Sequence, residues 1–102
     1  MIPIPNTQRD RLAGLRRMQR CERFNEGMCA GRITWEHVMG RVRSPDYSII
    51  ALCWFHHLGK GLNKELNRHI AYGYATDEDL RKSKRYEELK QEKNCLSKKY
   101  AN

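Results

Sequence analysis

The period of apolar positions changes several times along the chain. Over residues 7–20, Leu12, Leu15 and Met18 gather on one side and Arg9, Arg16, Arg17 and Arg20 on the other, which predicts a basic helix. Pro3 and Pro5 favour an extended lead-in over residues 1–6. Residues 21–31 lose the helical period, and Gly27 and Gly31 punctuate a loop or knuckle. Ile33-Thr34-Trp35 is β-prone and opens a strand that continues through Glu36 and His37. Gly40, Pro45 and Asp46 mark residues 40–47 as a loop, and Ser48-Ile49-Ile50-Ala51-Leu52 forms a second strand, so a hairpin is expected. From Cys53 the spacing is helical. Leu62, Leu66, Ile70 and Tyr74 recur every four residues as one buried stripe, with Gly59 and Gly61 separating a short helix from a longer one. Thr76-Asp77-Glu78-Asp79 has the Thr-x-x-acid form of a capping box. A mostly polar helix follows over residues 77–93, and the chain from Asn94 reads as frayed.

This order, helix, knuckle, strand, loop, strand, helix, helix, gives an α+β class. The chain has 102 residues, which suits one domain, with a core over residues 21–75 between the basic and polar helices. Folding at this length buries only about 60–65% of the extended chain's surface, so a metal staple would add materially to a modest apolar core.

Twenty Lys and Arg stand against twelve Asp and Glu, a formal charge of +8. Residues 1–51 hold nine basic and five acidic groups and residues 52–102 hold eleven and seven, so the excess is spread over both halves. Such a surface attracts polyanions, of which nucleic acid is the commonest, and DNA is the expected partner. No apolar run approaches the roughly 20 residues needed to cross a bilayer. The opening MIPIPNTQRDRLAG lacks an apolar signal core, and the expected location is the cytoplasm. Cysteines in that setting serve metal sites or remain free more often than they form disulfides.

The stretch ALCWFHHLGK places Cys53 three and four residues before His56 and His57. Successive helical residues point about 100° apart, so Cys53 can share a face with His56 or with His57, and two adjacent imidazoles suit two sites better than one. Cys21 and Cys29, which flank the loop CERFNEGMC, together with the Cys53-x-x-His56 pair, match the Cys₃His set of a structural zinc. Separate buried thiols, or a Cys21–Cys29 disulfide, are the bland alternatives. Cys95 lies far off in a polar helix and reads as a free thiol. Glu36 and His37 alternate across the first strand. With His57 released from zinc duty, Glu36 and His57 can hold a catalytic divalent cation while neutral His37 acts as general base, provided the strand end bends or bulges. Mg²⁺ or Mn²⁺ suits the carboxylate, and the imidazole also admits Zn²⁺ or Ni²⁺. Arg16, Arg17, Arg41 and Arg43 are candidate phosphate clamps, with simple solubility as their alternative. His69 reads as surface or structural, and Trp35 and Trp54 as packing around the metal sites.

The segment from Cys21 through His57 resembles the HNH endonucleases, the ββα-metal nuclease fold. In that family a cysteine pair precedes a strand ending in an acid–His or His–His step. An Asn on the second strand, a Leu-Cys step and a terminal Cys-His or His-His pair follow. Cys21, Cys29, Glu36-His37 and Leu52-Cys53-Trp54-Phe55-His56-His57 occupy those places. The runs GRITWEHVMGR, IIALCWFHHLG and NKELNRHIA look like small HNH proteins of bacteriophages, which implies a host cell's cytoplasm as the setting. The resemblance covers about half the chain. It implies metal-dependent hydrolysis of phosphodiester bonds in DNA, with Glu36 and His57 as catalytic-metal ligands, His37 activating the attacking water, and Cys21, Cys29, Cys53 and His56 holding structural zinc. Two positions depart from the pattern. The family's bracing Asn falls near Ser48, and its third metal ligand falls at Gly61. Cutting both strands would take a homodimer, for which the helix from Asp77 could supply an interface. The rival readings are a non-catalytic zinc-stapled DNA-binding module and a small protein-interaction adaptor using the charged C-terminal helix.

Overall fold

A computed structural model of the chain describes residues 6–39 and 45–100. Residues 1–5 of the expected lead-in and most of the inter-strand loop, including Arg41 and Arg43, lie outside the described residues, while Asn6 is helical where extended chain was expected. The fold is α+β. Helix α1 (Asn6–Ala13) leads through short 3-10 turns at Arg16–Met18 and Phe24–Glu26 to strand β1 (Ile33–His37). A further turn at Asp46–Ser48 precedes strand β2 (Ile49–Cys53). Then come α2 (Trp54–His57), α3 (Lys64–Tyr72), α4 (Asp77–Arg81) and α5 (Tyr86–Lys99).

The two strands form an antiparallel sheet in which Ile33 pairs with Cys53, Glu36 with Ile50 and His37 with Ile49. Every residue of β2 is buried because both faces of the strand are covered. Ile49 and Ala51 pack with Leu12, Met18 and the half-buried Trp35 on one side. Ile50 and Leu52 pack with Ala71, Cys21 and the partly buried Phe55 and Ile70 on the other. A third cluster of Tyr47, Tyr72, Ala75, Leu80, Leu89 and Leu96 joins α3, α4 and α5.

Three expectations about helices are corrected. The basic helix spans only Asn6–Ala13, because Gly14 intervenes and the next residues tighten into the Arg16–Met18 turn. That turn lets Arg17 reach inward, donating to the carbonyls of Ile49 and Asp46, both at 2.9 Å. Arg11 forks onto the Asp46 carboxylate at 2.9 Å with both Nε and Nη2. These arginines fasten the N-terminal segment to the hairpin. Secondly, α3 is capped by Asn63, whose side chain accepts from Leu66 N–H at 3.1 Å, and its buried residues are Asn67, Ala71 and Tyr72. Leu62 and Tyr74 lie beyond its ends and are exposed, so the four-residue stripe does not define its inner face.

Thirdly, the capping box at Thr76 and Asp79 forms as expected, but α4 stops at Arg81. Ser83 Oγ accepts from Arg85 N–H at 3.1 Å, a local side-chain bond of the kind that competes with helix continuation. The break turns α5 back so that it buries Leu89 and Leu96, and it stays helical to Lys99 where fraying was expected from Asn94.

Glu92 on α5 ties this layer to α3. It accepts from Tyr72 Oη at 2.6 Å and pairs with Arg68. Burial resists its ionisation, but the Arg68 and Tyr72 hydrogen bonds outweigh this and hold its pKa below the ordinary 4.5. A carboxylate depressed in this way stabilises the fold fully above its unfolded pKa and loses that contribution as pH falls through the lower folded value. Glu92→Gln should therefore cost about 1 kcal/mol at pH 7, allowing for solvent screening of half-exposed partners. That amounts to a melting temperature roughly 4–8 °C lower. Thermal melts from pH 7 downward should show the gap between variant and wild type closing below pH 4.5.

Candidate metal centre and the neighbouring acid–histidine face

Cys53 is the last residue of β2 and the N-cap of α2, so the hairpin register and the first helical turn together place Cys53 and His56 side by side. The knuckle brings Cys29 to them. Its backbone docks on the start of α2, where Phe55 N–H donates to Ala30 O and Trp54 N–H to Arg32 O, each at 3.1 Å. Gly31 sits in this approach at φ +81°, and a Cβ there would lie 2.6 Å from Trp54 Cβ. Both the left-handed backbone and the space require glycine. Cys21 is held by its neighbour, as Glu22 N–H donates to Ala51 O at 2.9 Å. Buried Arg23 closes the knuckle from beneath, with Nε and Nη2 on Glu26 and Nη1 donating to Gly61 O at 2.5 Å.

The ligand atoms of Cys21, Cys29, Cys53 and His56 all lie within 4.8 Å of one another. His56 Nδ1 is 3.5 Å from Cys21 Sγ, 3.7 Å from Cys29 Sγ and 3.2 Å from Cys53 Sγ. Zinc bonds of about 2.3 Å to sulfur and 2.0 Å to nitrogen, set tetrahedrally, put S and N roughly 3.5 Å apart. The donor set fits, and the cluster could hold a metal ion such as zinc. All four cysteines are free thiols, so the disulfide alternative is not formed, and Cys95 is exposed as expected.

Without a cation the cluster shares charge unequally. Burial opposes ionisation of Cys53, but backbone N–H groups of His56 and Ala30 and then the His56 side chain draw it down to about 6. Burial first, then hydrogen bonds with Cys53 and Cys21, push Cys29 up to about 12. A bound divalent ion would reverse that resistance and hold all three sulfurs as thiolates.

His57 points elsewhere. Its Nδ1 lies 2.6 Å from Thr34 Oγ1, and that hydroxyl donates to Leu52 O at 2.9 Å. If the hydroxyl proton is committed to the carbonyl, His57 donates from Nδ1 and its Nε2 points away from Thr34. Thr34 and Glu36 share one face of β1 by alternation. Glu36 is half-buried and accepts from Asn67 Nδ2 at 2.8 Å. Burial raises its pKa, opposed by the charge of His57, the Asn67 hydrogen bond, and Lys64 and Arg23. His37 alternates to the other face, at the end of a strand that pairs without a bulge. Burial, then the charge of His57, lowers its pKa, so the two imidazoles lie within electrostatic reach.

No known family model, curated protein or solved structure matches this chain.

The tetrad is the one group of three or more ligand side chains close enough to share an ion among the described residues. Glu36 and His57 lie toward one face of the hairpin while His37 alternates to the other, and the three do not form a second such group among the described residues. Arg16 is exposed, and Arg17 is engaged by carbonyls of the hairpin. Ser48 is fully buried and braces the exit of the inter-strand loop, donating from Oγ to Pro45 O at 2.8 Å and accepting Val38 N–H at 2.9 Å. Gly61 has no room for a ligand side chain, since a Cβ there would lie 2.5 Å from Phe55 Cε2 and 2.9 Å from His56 Cδ2. Trp54 is half exposed, and Trp35 packs against Leu12, Met18, Ile49 and Ala51 on the side of β2 away from the sulfur cluster, so neither packs the site as expected.

Sequence reading missed Asn67. It is fully buried, it holds Glu36, and its Oδ1 has no hydrogen-bond partner among the described residues. Nothing in LNRHIA separates it from an exposed helical Asn.

Purified protein should carry equimolar zinc, and Co²⁺ exchange should give thiolate charge-transfer and tetrahedral ligand-field bands. Cys53→Ala should abolish both and unfold the chain, since such a site supplies about 10–16 kcal/mol of apparent binding energy, whereas Cys95→Ser should leave both intact. Asn67→Ala should cost about 1–3 kcal/mol in urea denaturation, because it removes a buried donor from a half-buried carboxylate.

Proposed function

We propose that the chain is a metal-dependent endonuclease of the HNH type, with β1, β2 and α2 as its ββα-metal core, and that it hydrolyses phosphodiester bonds in DNA. The observation that carries this reading is the division of two adjacent imidazoles. His56 Nδ1 lies 3.2–3.7 Å from three sulfurs, while His57 Nδ1 lies 2.6 Å from Thr34 Oγ1 on β1. Glu36 and His57 would hold a divalent cation, Mg²⁺ or Mn²⁺, with Zn²⁺ or Ni²⁺ also suited to the imidazole. When bound, that ion supplies Lewis-acid stabilisation of phosphate charge.

The chain's own residues supply the rest. Thr34 fixes the ring tautomer of His57, a role that outer partners of ligating histidines commonly fill. Asn67 fixes one carboxylate oxygen of Glu36. The burial that raises the Glu36 pKa costs stability on its own and favours uptake of a positive ion. His37, whose pKa burial and then the charge of His57 lower, favours its neutral form, and it would accept the proton of an attacking water once the strand end turns its ring toward the Glu36–His57 face. The tetrad, loaded with zinc, would keep α2 seated against the hairpin. Arg16, with Arg41 and Arg43, would meet phosphates and carry no base specificity.

A second reading has its own support. The tetrad is the only complete ligand group among the described residues, as a zinc-stapled DNA-binding module without catalysis would require.

Plasmid nicking separates the two. Wild type should nick with at least one of Mg²⁺, Mn²⁺, Ni²⁺ or Zn²⁺, and His37→Ala should lose about 10²–10⁴-fold in rate with zinc content and melting temperature unchanged. Joint loss of zinc and fold in that variant would favour the module. A wild type that cuts nothing with any of the four ions, yet binds DNA with the usual salt dependence, would end the enzymatic reading.

A further inference from the structure

The 3-10 turns around the knuckle border an open cleft of about 480 Å³, lined by Arg16, Arg17, Arg20, Phe24 and Tyr74 together with Cys21 and Glu22. Its volume lies within the ~300–1,000 Å³ range of ligand sites. Two aromatic rings face this space. Phe24 is 53% exposed and Tyr74 40% exposed. Each ring carries a guanidinium. Arg20 lies 5.2 Å from the Phe24 centroid, and Arg17 lies 4.4 Å from the Tyr74 centroid.

One wall is rigid. Arg17 is pinned by the carbonyls of Ile49 and Asp46, and Tyr74 Oη donates to Glu22 Oε1 at 2.9 Å. The other wall is adaptable, because Arg16, Arg20 and Phe24 are all exposed. Cys21 ties the cleft to the tetrad, so zinc would hold its shape.

We propose that this cleft binds an unpaired segment of a DNA strand, with a base stacked on Phe24 and flanking phosphates on Arg16 and Arg20. Alternating cations and aromatic faces are the means by which single strands are bound without sequence preference, since every base has a π-face. A duplex keeps its base faces stacked inside and offers this cleft only phosphates. Glu22 also lines the cleft, so a purely anionic ligand would meet a carboxylate. A nucleotide, anionic at one end and carrying N–H donors on the base, suits the mixture. The inference rests on the nucleic-acid reading above and narrows its substrate to DNA with a single-stranded part, such as a flap, gap or fork.

The test is fluorescence anisotropy with labelled oligo(dT) of about 12 nucleotides, inside the ~4–16 nucleotide range of single-strand sites, and with a duplex of equal length. The protein carries His37→Ala so that binding is read without cutting. Oligo(dT) should bind more tightly than duplex. Phe24→Ala should weaken oligo(dT) binding roughly 5- to 100-fold, the usual effect of one stacked base, and leave duplex binding unchanged, while Phe24→Trp restores it. Arg16→Gln with Arg20→Gln should lower the salt slope by about 1.4, two single-strand contacts' worth. Phe24 and both arginines are exposed, so the variants should keep their zinc, which is measured on the same samples.

Tighter binding of duplex, or indifference of oligo(dT) affinity to Phe24→Ala, would overturn the inference. Its fate is separable from that of the nuclease reading. Phe24-dependent single-strand binding in a protein that never nicks would uphold the cleft and remove the enzyme, and nicking by a protein whose oligo(dT) binding ignores Phe24 would do the reverse.

Discussion

Three sulfurs and an imidazole nitrogen gathered within 4.8 Å form the constraint on which the rest of this structure turns. Like charges at that spacing oppose one another, and their surroundings draw the Cys53 thiol down and push the Cys29 thiol up. A bound cation would let all of them act together. The four donors come from the residues after the basic turn, from the knuckle and from the strand–helix junction, so a shared ion would join segments that otherwise meet through a few hydrogen bonds. Net stabilities of small domains are about 5–15 kcal/mol, and structural zinc contributes on that same scale. The apolar core is split into three clusters, so a shared ion would add materially to a small net stability.

The same junction links scaffold to chemistry. Cys53 caps α2, and one helical turn later His56 and His57 diverge, the first into the sulfur cluster and the second to Thr34 on β1. Thr34 and Glu36 share a strand face, and Asn67 on α3 reaches that face to hold Glu36. A shift of one residue in the β1–β2 register would send Thr34 and Glu36 to the opposite side and part them from both helices. The acid–histidine pair is thus as dependent on strand pairing as on the residues themselves.

The surplus of arginine serves two purposes that composition cannot distinguish. Arg11, Arg17 and Arg23 are structural struts, satisfied by Asp46, by hairpin carbonyls, and by Glu26 with Gly61. Arg16 and Arg20 stay at the surface beside exposed aromatic rings. An arginine fork that finds main-chain oxygens or a carboxylate is spent on the fold. One that faces solvent keeps its charge available to a polyanion.

Local chemistry was legible from the amino-acid order alone. Cys53-x-x-His56 is a one-turn pair wherever a helix begins at Cys53, Thr76 and Asp79 form a capping box by themselves, and the β-prone runs on either side of the loop pair as a hairpin. Each depends on residues near in sequence, whose geometry the backbone dictates. What reached across the chain was not legible. The docking of the knuckle through Gly31, the inward turn of Arg17, the burial of Asn67 against Glu36, and the return of α5 after Ser83 all join residues far apart in sequence. Their outcome is decided by which surfaces remain to be covered once the hairpin and its metal-ready corner have formed, and only the packed chain settles that competition.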